Sequence, residues 1–205
     1  MISQPRLYAI VDAAAFRKTE DLTTFAMELI FGGCTVLQYR NKNGSAGEML
    51  RQALALKIMT AVGDVKLIMN DRADLCLAVK FDGVHVGQED LPPSSVRRII
   101  GPDCWLGYST HHPQQVSEGD QTSADYLAIG PVFATSNKDK PDPVVGLEGV
   151  HRARQLTRKP LVAIGGITRA NAASVIEAGA DSVAMISDLM RDPRKSAEEF
   201  FRILR

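Results

Sequence analysis

The chain has 205 residues, in which 24 Lys and Arg balance 24 Asp and Glu. That balance leaves no global field to attract nucleic acid or an anionic membrane, and the length provides ample core for one large α/β domain or two small ones. No uninterrupted apolar segment is long enough to span a bilayer. Arg6 and Asp12 interrupt the only early apolar run, so no signal peptide is expected. Cys34, Cys76 and Cys104 match neither a zinc motif nor a disulfide framework. Cys34 and Cys76 sit in apolar surroundings and Cys104 beside Trp105, so inert packing in a reducing cytoplasm is expected for all three.

In chain order, Leu7 to Val11 is an apolar run ending at Asp12 and reads as a strand. Glu20 to Phe31 carries Leu22, Phe25, Ala26, Leu29 and Ile30 at helical spacing and stops at Gly32-Gly33. Thr35 to Tyr39 is a second strand, followed by a helix from Ala46 to Val62. The next stretch reads as a strand from Lys66 to Met69, a helix from Arg72 to Val79 and a strand from Gly83 to Val86. Pro92 and Pro93 open a helix to Ile100, and Trp105 to Tyr108 is the fifth strand, ending at Ser109. A helix from Pro113 to Gly119 leads to a sixth strand, Tyr126 to Ile129. One long irregular segment, Gly130 to Gly146, precedes a helix from Leu147 to Leu156. Leu161 to Ile164 is the seventh strand, Ala170 to Ala178 a helix, Ser182 to Ile186 the eighth strand, and Ser196 to Leu204 a closing amphipathic helix. Strand and helix alternate with short connections and no internal linker, which predicts a closed (β/α)8 TIM barrel occupying 1–205 as a single domain. An open doubly wound sheet is the structural alternative.

A barrel of this type places its functional groups at the strand ends that face the helices' starts. Asp71 and Asp90 follow neighbouring parallel strands, so both emerge at one edge and suit a hard divalent cation with oxygen ligands. The competing reading makes each a helix cap. Alternation puts Gln38, Arg40 and Lys42 on one side of the second strand's exit, a set suited to a multiply charged anion, against the alternative of a solvated strand exit. Asn70 points away from Asp71 and can donate to a ligand, whereas Arg72 is expected to tie down a loop or a neighbouring carboxylate. After the fifth strand come Ser109, Thr110, His111 and His112; loop hydrogen bonding is expected of His112, and His111 stays open. His85 reads as a packed barrel residue. The long loop offers Thr135, Ser136 and Asn137 as small donors and Lys138 as a cation that could close over an anion. At the last two exits, Gly165-Gly166 with the helix after Thr168, and Ile186-Ser187 beside them, make a phosphate cup.

Together these motifs carry a resemblance. Gln38-x-Arg40-x-Lys42, Asn70-Asp71-Arg72, Asp82-Gly83-Val84-His85-x-Gly87-Gln88-x-Asp90, Gly107-x-Ser109-x-His111, Gly130-Pro131-Val132-Phe133-x-Thr135-x-x-Lys138 and Ile164-Gly165-Gly166-Ile167 resemble, in order and over essentially the whole chain, the thiamine phosphate synthase family. The resemblance implies an alkyl transfer. It joins 4-amino-2-methyl-5-(hydroxymethyl)pyrimidine diphosphate to 4-methyl-5-(2-phosphoethyl)thiazole, or to its carboxylated form, and releases diphosphate. By that resemblance Gln38, Arg40, Lys42, Asn70, Ser109 and Lys138 hold the pyrimidine diphosphate, with Arg40, Lys42, Lys138 and Ser109 acting in catalysis. Asp71 and Asp90 hold Mg²⁺, and Thr135, Ser136, Asn137, Gly166, Ile186 and Ser187 hold the thiazole phosphate. Asn137 stands where the family usually has a second Thr, which implies altered thiazole affinity and not lost activity.

The implied mechanism follows from charge. The methylene carbon separates from the diphosphate oxygen, negative charge gathers on the leaving group beside the cations, and the thiazole nitrogen captures the carbon. No protein nucleophile is required, in agreement with the lack of a Ser–His–Asp or Cys–His pattern. Thiazole tautomerase relatives, another phosphate-binding barrel such as an epimerase or an indole-forming enzyme, and a non-catalytic phosphometabolite-binding barrel are the rival readings. The tautomerases generally lack the full set of cations and carboxylates, and the second leaves Asp71 and Asp90 as a pair unexplained. The expected partners are the small-molecule substrates, with no nucleic acid and no membrane, and a homo-oligomer is left open.

Overall fold

The computed structural model describes residues 5–61, 63–135 and 142–204. Among them run the strands β1 (Leu7–Asp12), β2 (Val36–Arg40), β3 (Lys66–Asn70), β4 (Gly83–Val86), β5 (Trp105–Thr110), β6 (Tyr126–Ile129), β7 (Leu161–Ile164) and β8 (Ser182–Met185). They pair in parallel in chain order, and β8 closes onto β1. The helices α1 (Thr19–Phe31), α2 (Ala46–Met59), α3 (Ala73–Val79), α4 (Pro93–Ile100), α5 (Pro113–Asp120), α6 (Gly146–Leu156), α7 (Ala172–Glu177) and α8 (Pro193–Ile203) follow the strands in turn. This is the (β/α)8 barrel that the strand count predicts, and the open sheet is excluded.

Strand alternation sorts the core into two. Tyr8, Ile10, Val36, Ile68, Tyr126, Ala128, Val162 and Ala184 point inward and fill the barrel. Their strand neighbours, such as Leu7, Leu37, Leu67, Val84 and Leu127, point outward into the layer beneath the helices. Gly107 on β5 leaves room for two bulky neighbours, because a Cβ there would collide with the His85 ring and the Tyr126 hydroxyl.

Several strands extend past their apolar runs. β2 continues through Arg40, β3 through Asn70 and β5 through Thr110, each held by pairing with a neighbour (Asp12↔Arg40, Asn70↔His85, Thr110↔Ile129). Arg40, Asn70 and Ser109 therefore stand on the rigid ladder and not on loops. Helix starts and stops also shift. α8 begins at Pro193, with Asp192 accepting from the Lys195 amide at 3.3 Å, so a cap and a proline set its start ahead of the apolar face. α2 ends at Met59; the Thr60 hydroxyl donates back to the Leu56 carbonyl at 3.1 Å.

The lower end of the barrel is closed by a recurring clamp. Asp82, Asp125 and Asp181, just before β4, β6 and β8, accept from the amides of Leu67, Leu106 and Leu161 at 3.0, 2.8 and 2.8 Å. Lys66, Arg97 and Arg154 pair with these carboxylates at 3.4, 2.6 and 2.8 Å. Each carboxylate thus satisfies a strand-end amide of the preceding strand, which would otherwise lack a partner.

Candidate active site

The first cluster forms at the upper ends of β1 to β4. Gln38 points into the barrel and donates from Nε2 to the Tyr8 hydroxyl at 2.9 Å. Two residues on, Arg40 donates to the Asp12 carboxylate, its register partner on β1. Lys42, beyond the strand, reaches across to Asp71, Nζ to Oδ2 at 3.0 Å. Tyr39 between them faces outward and donates to Gln52 on α2 at 2.6 Å, which pins the strand against its helix.

Asp71 holds a left-handed backbone, φ +62°, which Asp tolerates better than most residues. Its amide donates to the His85 carbonyl at 2.8 Å, so the turn is fastened to β4. Burial raises the Asp71 carboxyl above the ordinary carboxylate range; the Lys42 hydrogen bond opposes this, and the charge of nearby Asp90 adds to it. Asp90 itself accepts from the Gly87 amide at 2.7 Å. The helix-cap reading fails for both residues: Arg72 and Pro92 occupy the cap positions of α3 and α4, and neither start has a side-chain cap. Two adjacent carboxylates, one of them paired with the Lys42 ammonium, form an oxygen-only donor set that fits a hard cation. Among the described residues no group of three or more His, Cys, Asp or Glu gathers as a metal cage. Asn70, inward on β3, has its Nδ2 buried without a hydrogen-bond partner among the described residues, a donor available to a ligand. Arg72 behaves as expected, forking onto Asp74 at 2.9 and 2.5 Å.

A chain of hydrogen bonds crosses the barrel beneath this cluster. From Gln38 and Tyr8 it passes to Tyr126 (hydroxyl to hydroxyl, 3.0 Å), to His85 Nδ1 at 3.1 Å, and from His85 Nε2 to Ser109 Oγ at 2.8 Å. His85 is thus packed, as expected, and it also orients Ser109. Burial lowers its imidazole to about 4, so the ring is neutral near pH 7. The Ser109 carbonyl accepts from Gln88 at 2.6 Å. His112 caps α5, accepting from the Gln115 amide at 3.5 Å. His111 bonds from Nδ1 to the Gly130 carbonyl at 2.7 Å and so anchors the start of the long loop.

The second cluster stands at the ends of β7 and β8. Gly165 and Gly166 take φ of +99° and +62°; a Cβ would lie 2.6 Å from Pro131 Cα at Gly165 and 2.5 Å from the Ala134 carbonyl oxygen at Gly166. Both glycines are thus required by conformation and by the close approach of the 131–134 segment. That segment lies along the β7 exit, with Val132 and Phe133 amides donating to the Ile164 and Gly165 carbonyls at 2.9 Å each. The helix after Thr168 differs from expectation. α7 begins only at Ala172, because Asn171 Oδ1 accepts from the Thr168 amide at 2.7 Å and holds a turn there. The Arg169 amide donates to Asp188 at 3.1 Å. These two amides are occupied; among the described residues those of Gly166 and Ile167 donate no backbone hydrogen bond. Ile186 packs against the barrel interior, and Ser187 opens a short 3-10 turn, Ser187–Leu189.

Of the residues singled out by sequence, Gln38, Arg40, Lys42, Asn70, Asp71, Asp90 and Ser109 stand at one end of the barrel, with Thr135, Gly166, Ile186 and Ser187 at the same end across the mouth. Ser136, Asn137 and Lys138 lie outside the described residues. Sequence reasoning missed Asp12, whose pairing with Arg40 appears only once β1 and β2 are in register. It also missed Asp188, which ties the two rims of the second cluster through Arg169.

Comparison with known proteins gives concordant findings. The family profile described as thiamine monophosphate synthase matches residues 7–189. A thiamine-phosphate synthase of Koribacter versatilis is 57% identical over 203 residues, covering 98% of this chain and 96% of that one. One from Chloroflexus aurantiacus is 44% identical over 182 residues, 89% of this chain and 83% of its own length. The solved structure of thiamine phosphate pyrophosphorylase from Pyrococcus furiosus superposes with a TM-score of 0.86 at 33% identity, covering 97% of this chain and 95% of that one.

Proposed function

The chain belongs to the thiamine monophosphate synthase family, and we propose that the two clusters at the barrel mouth carry out the family's condensation. The chain is a transferase of the pyrimidinylmethyl group, joining the pyrimidine diphosphate to the thiazole phosphate to give thiamine phosphate and diphosphate. The observation that carries the assignment of residues is the Lys42–Asp71 contact at 3.0 Å with Asp90 alongside, at the same barrel end as the Gly165–Gly166 cup.

In this reading Gln38, Asn70 and Ser109 hold the pyrimidine diphosphate, and the hydrogen-bonded chain through Tyr8, Tyr126 and His85 fixes the orientation of Gln38 and Ser109. The buried and otherwise unpartnered Asn70 amide supports this, since a ligand acceptor would satisfy it. Arg40 and Lys42 grip the diphosphate. Each already faces a carboxylate, Asp12 and Asp71, so the cations are held in place before the ligand arrives. Asp71 and Asp90 would hold Mg²⁺, which when bound supplies positive charge to the departing diphosphate. Negative charge developing on the leaving oxygens is stabilised by Arg40, Lys42 and, by family resemblance, Lys138, each such donor typically contributing about 2.7–4 kcal/mol to the barrier. Electron release from the pyrimidine amino group stabilises the methylene as the bond lengthens.

Across the mouth, the Gly166 and Ile167 amides, Thr135 and Ser187 would hold the thiazole phosphate, with Ile186 against the ring and Ser136 and Asn137 completing the set. Held there, the thiazole nitrogen is positioned for attack on the methylene carbon. The same proposal takes 1–205 as one domain working in the cytoplasm. The testing experiment supplies purified protein with both substrates and Mg²⁺ and follows diphosphate together with thiamine phosphate, read as its fluorescent oxidation product. Equal amounts of both products are expected; diphosphate without thiamine phosphate, or neither, would refute the reading.

A further inference from the structure

At the end of the barrel opposite the mouth, two residues far apart in sequence bring their sulfur atoms into contact. Cys76 lies on α3 and Cys104 immediately precedes β5, and their Sγ atoms are 3.7 Å apart. The expectation of inert packing, drawn from their apolar surroundings and from Trp105, did not include this contact. Cys76 is fully buried, with its Sγ 3.2 Å from the Gly83 carbonyl oxygen. Cys104 is only partly buried and lines a cleft of about 340 Å³ shared with Lys66, Leu77, Lys80 and Asp103. Cys76 also lines this cleft, so both sulfurs border it, Cys104 partly exposed and Cys76 buried.

We propose that Cys76 and Cys104 form a peroxide-responsive dithiol that closes reversibly to an intramolecular disulfide. The two sulfurs have different chemical characters. The contact with Cys76 lowers the Cys104 thiol, burial opposes this, and the charge of Arg97, whose guanidinium donates to the Cys104 carbonyl at 2.7 Å, adds to the lowering. That shared contact and burial raise Cys76. Because Cys104 is the partly exposed member of the pair and Cys76 the buried one, Cys104 is the attacking thiol and Cys76 the resolving thiol.

In the first step Cys104 sulfur attacks one oxygen of a hydroperoxide, the O–O bond breaks, and the departing oxygen takes up the thiol proton and leaves as alcohol or water. Cys104 is now a sulfenic acid. In the second step Cys76 sulfur attacks Cys104 sulfur, the S–O bond breaks, and the hydroxide leaves with the Cys76 proton as water. Two thiols are oxidised and one peroxide is reduced. The sulfurs need only close from 3.7 Å to the ~2.0 Å of a disulfide, and Cys104 sits on the connection between α4 and β5, outside both elements. A thiol reductant reverses the step. Cys34 serves as an internal control, because burial pushes its thiol up to about 12 and no partner sulfur adjoins it among the described residues.

The test treats the whole purified chain with a small excess of hydrogen peroxide, alkylates it and digests it without reduction. The expected products are a peptide pair joined through Cys76 and Cys104 and the loss of two of the three titratable thiols, both reversed by dithiothreitol. Cys34→Ser should give the same pair, and Cys76→Ser should leave a dimedone-trappable sulfenic acid on Cys104. Three free thiols at peroxide levels that oxidise a model cysteine peptide would overturn the proposal. So would oxidation of Cys34 ahead of the pair, or sulfinic acid on Cys104 with Cys76 still reduced.

Discussion

Gly166 combines a left-handed φ of +62° with a backbone oxygen, that of Ala134, 2.5 Å from where a Cβ would stand. Gly166→Ala is therefore expected to destabilise the fold by about 1–3 kcal/mol. Displacing the cup should also raise the KM for thiazole phosphate several-fold while that for the pyrimidine diphosphate changes little. Urea midpoints and the two KM values check this, and an unchanged thiazole KM would remove Gly166 from the phosphate site. The glycine pair was legible because two glycines directly after an apolar strand run mark a backbone that turns sharply or is closely approached. Asp12 was not, because its role depends on register with Arg40, and a strand's end residue does not announce its cross-strand partner. Asn70 lies between these cases. Its side-chain direction follows from alternation, but the lack of a partner for Nδ2 emerges only from packing.

Among the elements, β4, β6 and β7 match expectation end to end, whereas β1, β2, β3, β5 and β8 match at their apolar centres and differ at one end or both. Polar residues such as Arg40, Asn70 and Ser109 continue the ladder because neighbouring strands supply the hydrogen bonds, information that no single apolar run contains. α7 starts late for a local reason, the Asn171 turn, which competes with helix for the Thr168 amide. The clamps at the lower end make a separate prediction. Asp125 accepts from the Leu106 amide and pairs with Arg97, both far from the mouth. Asp125→Ala should lower stability by about 1–3 kcal/mol, the cost of leaving a strand-end amide unpaired. Activity per folded molecule should be unchanged. Denaturant unfolding beside a rate measurement distinguishes this from a functional role, which would appear as a lost rate at full occupancy of the folded state.

For the molecule as a whole, the barrel could be counted out from the sequence because strand and helix periodicities alternate without a break. The internal polar chain was harder to see: Tyr8, Tyr126 and His85 lie far apart in sequence and meet only when the strands close. Its pH consequence is global. The folded His85 titrates at about 4, below its ordinary value of 6.5, so the unfolded chain binds more protons between those limits. Stability from this group is complete above about pH 6.5 and is lost as the pH falls toward 4, by up to about 3 kcal/mol. Urea midpoints across that range should fall with acidity, and His85→Gln should show a shallower fall than the parent chain; parallel slopes would show that the ring is not the group responsible.

The carboxylate pair at the mouth is the centre of the proposed chemistry. Asp71→Asn and Asp90→Asn remove a charge without removing volume, and each should leave the melting profile and calorimetric binding of thiazole phosphate near those of the parent. The deciding measurement is the rate of diphosphate release by each variant across a Mg²⁺ titration. A loss of about 10²–10³-fold at saturating substrates is expected, with more Mg²⁺ needed for half-maximal rate. Parental rates at parental Mg²⁺ in either variant would contradict the assignment.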